Sequence, residues 1–356
     1  MVDLSSKSRP ARSPWETPNP SRVAKITAAS LIPAGVTIAL TILFGIDPAI
    51  ALTLIFVPLQ IVFAIAVGRN VAGRKGQGDA VLMFTSVFFT VLVAVLLVSL
   101  LWSIISQGFA AMSWHFIYQN NVYIDPTTSL EFGGVGHAIV GTLLIVGLTT
   151  IVTVPLGILI AVYLIETRDK GRSSVRTLVQ AMSGLPSVVS GLFVYSMLIV
   201  SGVTSYAGWA GSLALLPLML PTVARTAEEA LRLVPVEIRN GALALGSPSF
   251  RAFWQVTLPA ARSGIITAVI LGVARIIGET APLLLTTFAA KNTNFNVFNG
   301  PISSLPTYLY QFVSNGYDTS TQRAWGAALV IMILVAILFT ATRIIAGDRK
   351  RTKKKA

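Results

Sequence analysis

The chain has 356 residues, 54% of them hydrophobic and only 12% charged, with a formal net charge of +13 and no cysteine. A soluble domain carries about 25% charged residues, so the composition excludes an ordinary water-soluble globule, and the missing cysteines exclude disulfides and thiolate metal sites. The positive charge alone would suit a nucleic-acid binder, but its placement along the chain argues for a membrane protein and against nucleic acid.

The first 23 residues are polar and rich in Pro, Ser and Arg. That is too long and too polar for a signal-peptide n-region, so residues 1–23 are expected to be a disordered arm ahead of an uncleaved first span. Apolar blocks then follow at 24–46, 49–68, 80–106, 137–165, 178–203, 207–224, 262–288 and 324–346. About 20 apolar residues cross a bilayer core as a helix, and backbone amides in lipid must be bonded within their own segment. The blocks mostly lack the polar stripes of a soluble helix. The expected fold is therefore all-α, a polytopic transmembrane bundle of about eight spans. The first two spans are short and carry Pro33, Pro48 and Pro58, with a turn at Gly45–Pro48. They make a hairpin over 24–79 with no charge expected within the membrane.

Two long loops fall on one side. Residues 107–136 hold no Lys or Arg, and their Trp114, Phe116, Tyr118 and Tyr123 suit a membrane interface. His115 and His137 stand isolated, without ligand spacing to a carboxylate or a second His, so they are expected at a surface or interface and no metal site is expected. Residues 289–323 include Ser304–Val313, expected to be a short interfacial helix; Phe295, Phe298, Tyr308, Tyr310 and Phe312 supply apolar contact in this loop, for membrane anchoring or for docking of an external partner.

Of the 27 Lys and Arg, 24 fall in five clusters on the other side: the arm, the loop with Arg69, Arg74 and Lys75, the loop with Arg168, Lys170, Arg172 and Arg176, the segment 225–262, and the tail 347–356 with Arg343 just before it. Lys291 and Arg323 lie opposite, and Arg275 lies within a span. Excess Lys and Arg mark the cytoplasmic side, which places both termini there.

Segment 225–262 is much longer than the about 2–8 residues usual between bundle helices. Glu228 and Arg232 are four apart, in the favourable order for a helical ion pair. Gly246-Ser247-Pro248 is expected to end one short helix with a left-handed cap, and Ser247 or Ser249 to cap the next. The product is a bent elbow that suits a groove on a soluble partner. Arg275 and Glu279 are singled out by cost: Arg at the centre of a spanning helix costs about 2.5–3.5 kcal/mol. A spacing of four puts them on one helix face, where pairing would offset part of that cost. Arg275 stands about 24 Å along the helix from Pro259, too deep to reach the basic side easily. No phosphate-cradling Gly-x-x-x-x-Gly-Lys-Ser/Thr occurs; Gly68 to Lys75 comes nearest and fails.

In the elbow, Asn240-Gly241-Ala242, Gly246 and Val256-Thr257-Leu258-Pro259 resemble a loop of the permease subunits of binding-protein-dependent ABC importers. That loop reads Glu-Ala-Ala, three residues, Gly, nine residues, Ile-x-Leu-Pro; here Asn replaces Glu and Gly replaces the first Ala. Gly141-Thr142-Leu143-Leu144 through Val154-Pro155-Leu156-Gly157, and Gly184-Leu185-Pro186-Ser187 through Gly191-Leu192-Phe193, resemble the first helices of that family's core. Ala274–Leu284, Ser304-Leu305-Pro306, Tyr310-Gln311-Phe312 and Ala324-Trp325 are similar to the A-type permease subunit of the phosphate-specific transport (Pst) system. The resemblance covers roughly 80–346 and leaves out the first 79 residues.

The resemblance implies a six-helix permease core at 80–346 behind an extra hairpin. It also implies a bacterial inner-membrane location and a non-enzymatic role, with ATP and Mg acting through a separate ABC ATPase dimer and no cofactor held by this chain. Asn240, Gly241, Ala242, Gly246, Leu258 and Pro259 would form the ATPase coupling loop. A sister permease, an extracytoplasmic phosphate-binding protein and the bilayer are the other implied partners. Arg275, Glu279, Arg225, Thr280 and Ser187 are the candidate substrate path. Arg225 has an alternative as a helix-end cation paired with Glu229, and the break at Ser183–Ser187 has one as a plain Pro kink. A permease for another oxyanion, an ATP-independent anion channel or secondary transporter, and a membrane-anchored assembly or sensor subunit stay open.

Overall fold

The computed structural model describes residues 20–47, 50–167 and 169–347. The arm's Lys7, Arg9 and Arg12, the turn's Pro48, Arg168 and the basic residues after 347 lie outside them. Among the described residues every regular element is helical, which is the expected all-α class. The chain divides into two units, Met1–Leu100 and Leu101–Ala356.

In the first unit α1 (Pro20–Phe44) begins inside the segment expected to be a disordered arm. A left-handed Gly45 follows it (φ 60°). A π-helical turn at Ala51–Phe56 then leads into α2 (Val57–Ala111). Helical bonding is continuous over α2, yet α2 is not straight. A straight helix would hold positions 56 and 84 about 42 Å apart, whereas the Phe56 and Phe84 rings lie 6.4 Å apart. The chain therefore doubles back between 67 and 81, an interval with Gly73, Gly76 and Gly78 and no proline. Glycine is a poor helix former but keeps its amide N–H, so the expected loop around Arg69–Lys75 is wound as helix. The apolar arms on either side are Leu54–Val67 and Val81–Ala111.

The second unit is built around α7 (Gly208–Arg232), whose most apolar window is 67% buried. It packs against α4 (Gly136–Glu166) and against α10 (Arg262–Ile276), the helix that follows the elbow. Ile145, Leu215, Met219, Val223, Ile276 and Leu283 form the largest buried cluster. Glycines set the spacing: a Cβ on Gly157 or on Gly272 would stand 2.8 or 2.7 Å from Val223. Small residues let membrane helices approach closely. Hydroxyls stitch the crossings, Ser212 Oγ donating to the Ile145 carbonyl at 3.0 Å and Thr142 Oγ1 accepting the Leu305 amide at 2.8 Å.

Among the described residues four helices are long and apolar enough to cross a membrane, or six if each of two bent pairs counts as one span. Leu31–Phe44 and Leu54–Val67, within 24–79, are apolar helices shorter than these spans.

The end of the unit remote from the elbow departs from expectation. There α3 (Trp114–Tyr118), α12 (Leu305–Val313) and α13 (Asp318–Gly347) enclose a second core. Trp114 and Tyr123 are exposed as interface residues would be, but Phe116, Tyr308 and Phe312 are buried. His137, expected at a surface, is buried edge-on to the Tyr308 ring at 5.7 Å. A capping box between Ser304 and Thr307 starts α12, which docks on protein through two of its three aromatic residues and leaves Tyr310 exposed. Arg323 is fully buried, donating to the carbonyls of Ser129 at 2.7 Å and Phe132 at 2.8 Å. Burial pushes the Tyr308 hydroxyl up to about 12, against the pull of the Arg323 guanidinium beside it.

Gly141 offers the sharpest test of this packing, because a Cβ there would lie 1.9 Å from the Ser303 carbonyl oxygen. Gly141→Ala is expected to lower the Tm of the purified protein by on the order of 5 °C. Gly147→Ala in the same helix, with nothing within 4 Å of its Cβ, should leave Tm unchanged or raise it.

Candidate functional site

Two helices are interrupted in one region of the second unit. α5 (Gly171–Ser183) stops at Gly184, and α6 (Ser187–Val194) restarts after Pro186 with a bend of 100° to the continuous stretch Ser187–Val200. α10 stops at Ile276, and α11 (Ala281–Thr286) restarts after Thr280 with Pro282 in its first turn. The two restarts touch: a Cβ on Gly191 of α6 would stand 2.5 Å from the Pro282 Cα. Ser187 and Thr280 thus lie at the starts of two helices packed on each other, and both are half-buried.

Arg275 is exposed in the last turn of α10, beside the buried Ile276. Glu279 is half-buried and lies past the helix end. The expected placement of these two on one helix face therefore fails, because Ile277–Gly278 turn the chain and Pro282 cannot continue the old ladder. Neither residue forms an ion pair within 4.0 Å among the described residues. Arg225 is exposed on α7 beside buried Ala224. It makes no ion pair with Glu229 at that distance, so the helix-end pairing is not formed. Instead it lines a cavity of about 210 Å³ with Arg176, Gln180, Glu228, Glu229 and Arg232. Arg275 is thus an exposed guanidinium at the end of a mostly apolar helix, whereas Arg225 sits among other charged side chains. At membrane depth an exposed charge requires a partner chain or an aqueous path.

The expected Glu228–Arg232 pair is present at 2.5 Å. Glu228 also accepts from Arg176 at 2.6 Å, and Arg239 bonds Glu166. These two contacts span 52 and 73 residues of sequence, and nothing in local spacing signals them.

The elbow forms as expected in outline. α8 (Val236–Ala244) ends at Gly246, whose φ is 81°. Its amide bonds the Leu243 carbonyl at 2.9 Å, and the Ser247 amide bonds that of Ala242 at 3.2 Å, the two bonds of a Schellman cap. The next helix, α9 (Ser249–Ala252), is not capped by Ser247 or Ser249. Pro248 holds that position in an extended conformation and has no polar side-chain atom with which to cap. A π-helical turn at Phe253–Thr257 and a last turn at Leu258–Ala260 complete the elbow, which meets α10 at 69°. Asn240, Gly241, Gly246 and Pro259 are exposed, and Ala242 and Leu258 are half-buried. Leu245 is 90% and Phe250 74% exposed, whereas Phe253 is 6% exposed and roots the elbow in the bundle with Ala161, Ala227 and Leu231. Large apolar side chains clustered at a charged end mark a docking surface. Among the described residues no group of His, Asp and Glu is placed to hold a metal ion.

Residues 153–350, which include both breaks and the whole elbow, match the family model described as binding-protein-dependent transport system inner membrane component. The chain belongs to this family. Phosphate transport system permease protein PstA 1 of Mycobacterium tuberculosis (strain ATCC 25618 / H37Rv) is 38% identical to it over 276 residues, 75% of this chain and 88% of that one. Phosphate transport system permease protein PstA of Pasteurella multocida (strain Pm70) is 36% identical over 269 residues, 74% of this chain and 91% of that one. This inner-membrane component is thus a multi-span helical subunit of a transport system, and its elbow is part of what the family shares.

Gly246 tests the elbow's geometry. Gly246→Val forces a branched residue into a left-handed conformation at a cost of about 1–2 kcal/mol, and is expected to speed limited proteolysis near the cap. Gly241→Ala, helical and open, should leave the cleavage rate unchanged.

Proposed function

We propose that this chain is the A-type permease subunit of an ATP-driven phosphate importer in a bacterial inner membrane, with both termini cytoplasmic. Residues 80–346 make the transport core, and 24–79 add a hairpin to it. A sister permease completes the translocation path, an extracytoplasmic binding protein delivers phosphate, and a separate ATPase dimer using ATP and Mg docks on the elbow. The relatives' names support the substrate. The observation that carries the reading is the exposed, unpaired Arg275 at the α10–α11 break.

Phosphate carries between one and two negative charges near neutral pH, and a guanidinium offers a fork that fits its oxygens. Free of an intrachain carboxylate, Arg275 keeps that fork for the passing anion. Glu279, four residues on, keeps the local charge low enough for release, since passage requires binding that is not too tight. Thr280 and Ser187 supply hydroxyls where the two helices restart, and Arg225 offers a second cation nearer the elbow. The ATPase drives the cycle by binding the inward- and outward-open states unequally, because a ligand shifts an equilibrium only by its differential affinity.

Arg275→Gln is expected to cut labelled-phosphate uptake at least tenfold, the scale of one lost charge-assisted hydrogen bond of about 1.5–3 kcal/mol. Uptake is read in cells lacking and regaining the chain, with co-purification of the ATPase confirming assembly. Normal uptake by this variant, or labelling that shows position 275 facing lipid, would remove the pathway role. Competition by sulfate or molybdate equal to that by unlabelled phosphate would reassign the substrate.

A further inference from the structure

The polar contacts at the elbow end close into a ring. Arg239 of α8 donates to Glu166, the last residue of α4. One turn earlier on α4, Tyr163 donates its hydroxyl to Asp169 at 2.9 Å, and Asp169 accepts the Arg172 amide at 3.1 Å, tying the start of α5 to the end of α4. Arg176 of α5 donates to Glu228 of α7 at 2.6 Å. α7 then passes through Leu233-Val234-Pro235 back into α8. Ala161, Ala227, Leu231, Phe253 and Ala261 form the buried apolar cluster at this end of the bundle.

We propose that Arg239 and Glu166 are positioning residues for energy coupling. They form the strut that fixes the elbow to α4, so that a displacement of the elbow moves α4 and, through Asp169 and Glu228, α5 and α7 as one body. The proposal rests on the importer reading above. An ion pair suits this task because it is directional and resists pulling, whereas apolar contact is non-directional. The two side chains are 28% and 25% exposed, so separating them leaves two partly desolvated charges unpaired. The same short helix divides its duties: Arg239 is half-buried, while Val236 is 60% exposed and Leu245, at the helix end, 90% exposed.

The test uses the assembled complex in vesicles and reads phosphate imported per ATP hydrolysed. Arg239→Glu and Glu166→Arg are each expected to lower this ratio by about tenfold while co-purification and ATP turnover persist, and the double reversal to recover it to within about threefold. Arg239→Lys, which keeps the charge, should retain most of the ratio. If a reversal blocks assembly, Arg239→Gln and Glu166→Gln replace it with the same expected direction. An unchanged ratio in single variants that assemble, or an assembled double reversal that does not recover, overturns the strut. Wild-type vesicles with no ATP-dependent uptake overturn the importer reading and the coupling role with it, whereas wild-type uptake with unaltered ratios in the variants overturns the strut alone.

Discussion

A helix inside a bilayer can stop only where protein takes over its freed amides and carbonyls. That constraint organises the second unit. The breaks at Gly184–Pro186 and at Ile277–Thr280 sit where α6 and α11 pack on each other, with no room for a Cβ between Gly191 and Pro282. Beyond α11 the neighbours complete the bonding: the Thr286 carbonyl accepts from the Ala207 amide at 3.3 Å, and the Thr287 carbonyl from the Ile302 amide at 3.1 Å. The breaks are parts of the packing, and they leave polar groups at a depth where a continuous helix would show only side chains.

Charge follows the same division. Arg323 is spent on structure, enclosed and bonded to loop carbonyls. Arg176, Arg232 and Arg239 are spent on Glu228 and Glu166. Arg275 and Arg225 are exposed cations that form no ion pair within 4.0 Å among the described residues, and each stands beside a buried core residue. Exposed, unpaired ones need an environment supplied from elsewhere, which is why the proposed path runs past them.

The elbow joins the two themes. Its outer side is apolar and exposed, and its inner side is rooted by Phe253 and by the Arg239–Glu166 contact. One short element thus presents a docking surface and a mechanical attachment, as the proposed coupling role requires.

Much of this was legible in the chain itself. Run length and the one-sided Lys and Arg marked a polytopic helical protein, and Gly246-Ser247-Pro248 marked the elbow, because bilayer thickness and left-handed caps act on local sequence. Glu228–Arg232 was legible for the same reason, at a spacing of one helical turn. The Arg275–Glu279 pair was misplaced because the spacing rule assumes an unbroken helix, and Gly278 with Pro282 ends it. The burial of Phe116 and His137 and the contacts of Arg176 and Arg239 belong to tertiary structure alone. The Arg176 and Arg239 contacts span 52 and 73 residues, His137 and Phe116 are covered by the still more distant α12 and α13, and a periodicity read along one helix carries no information about the partner that covers it.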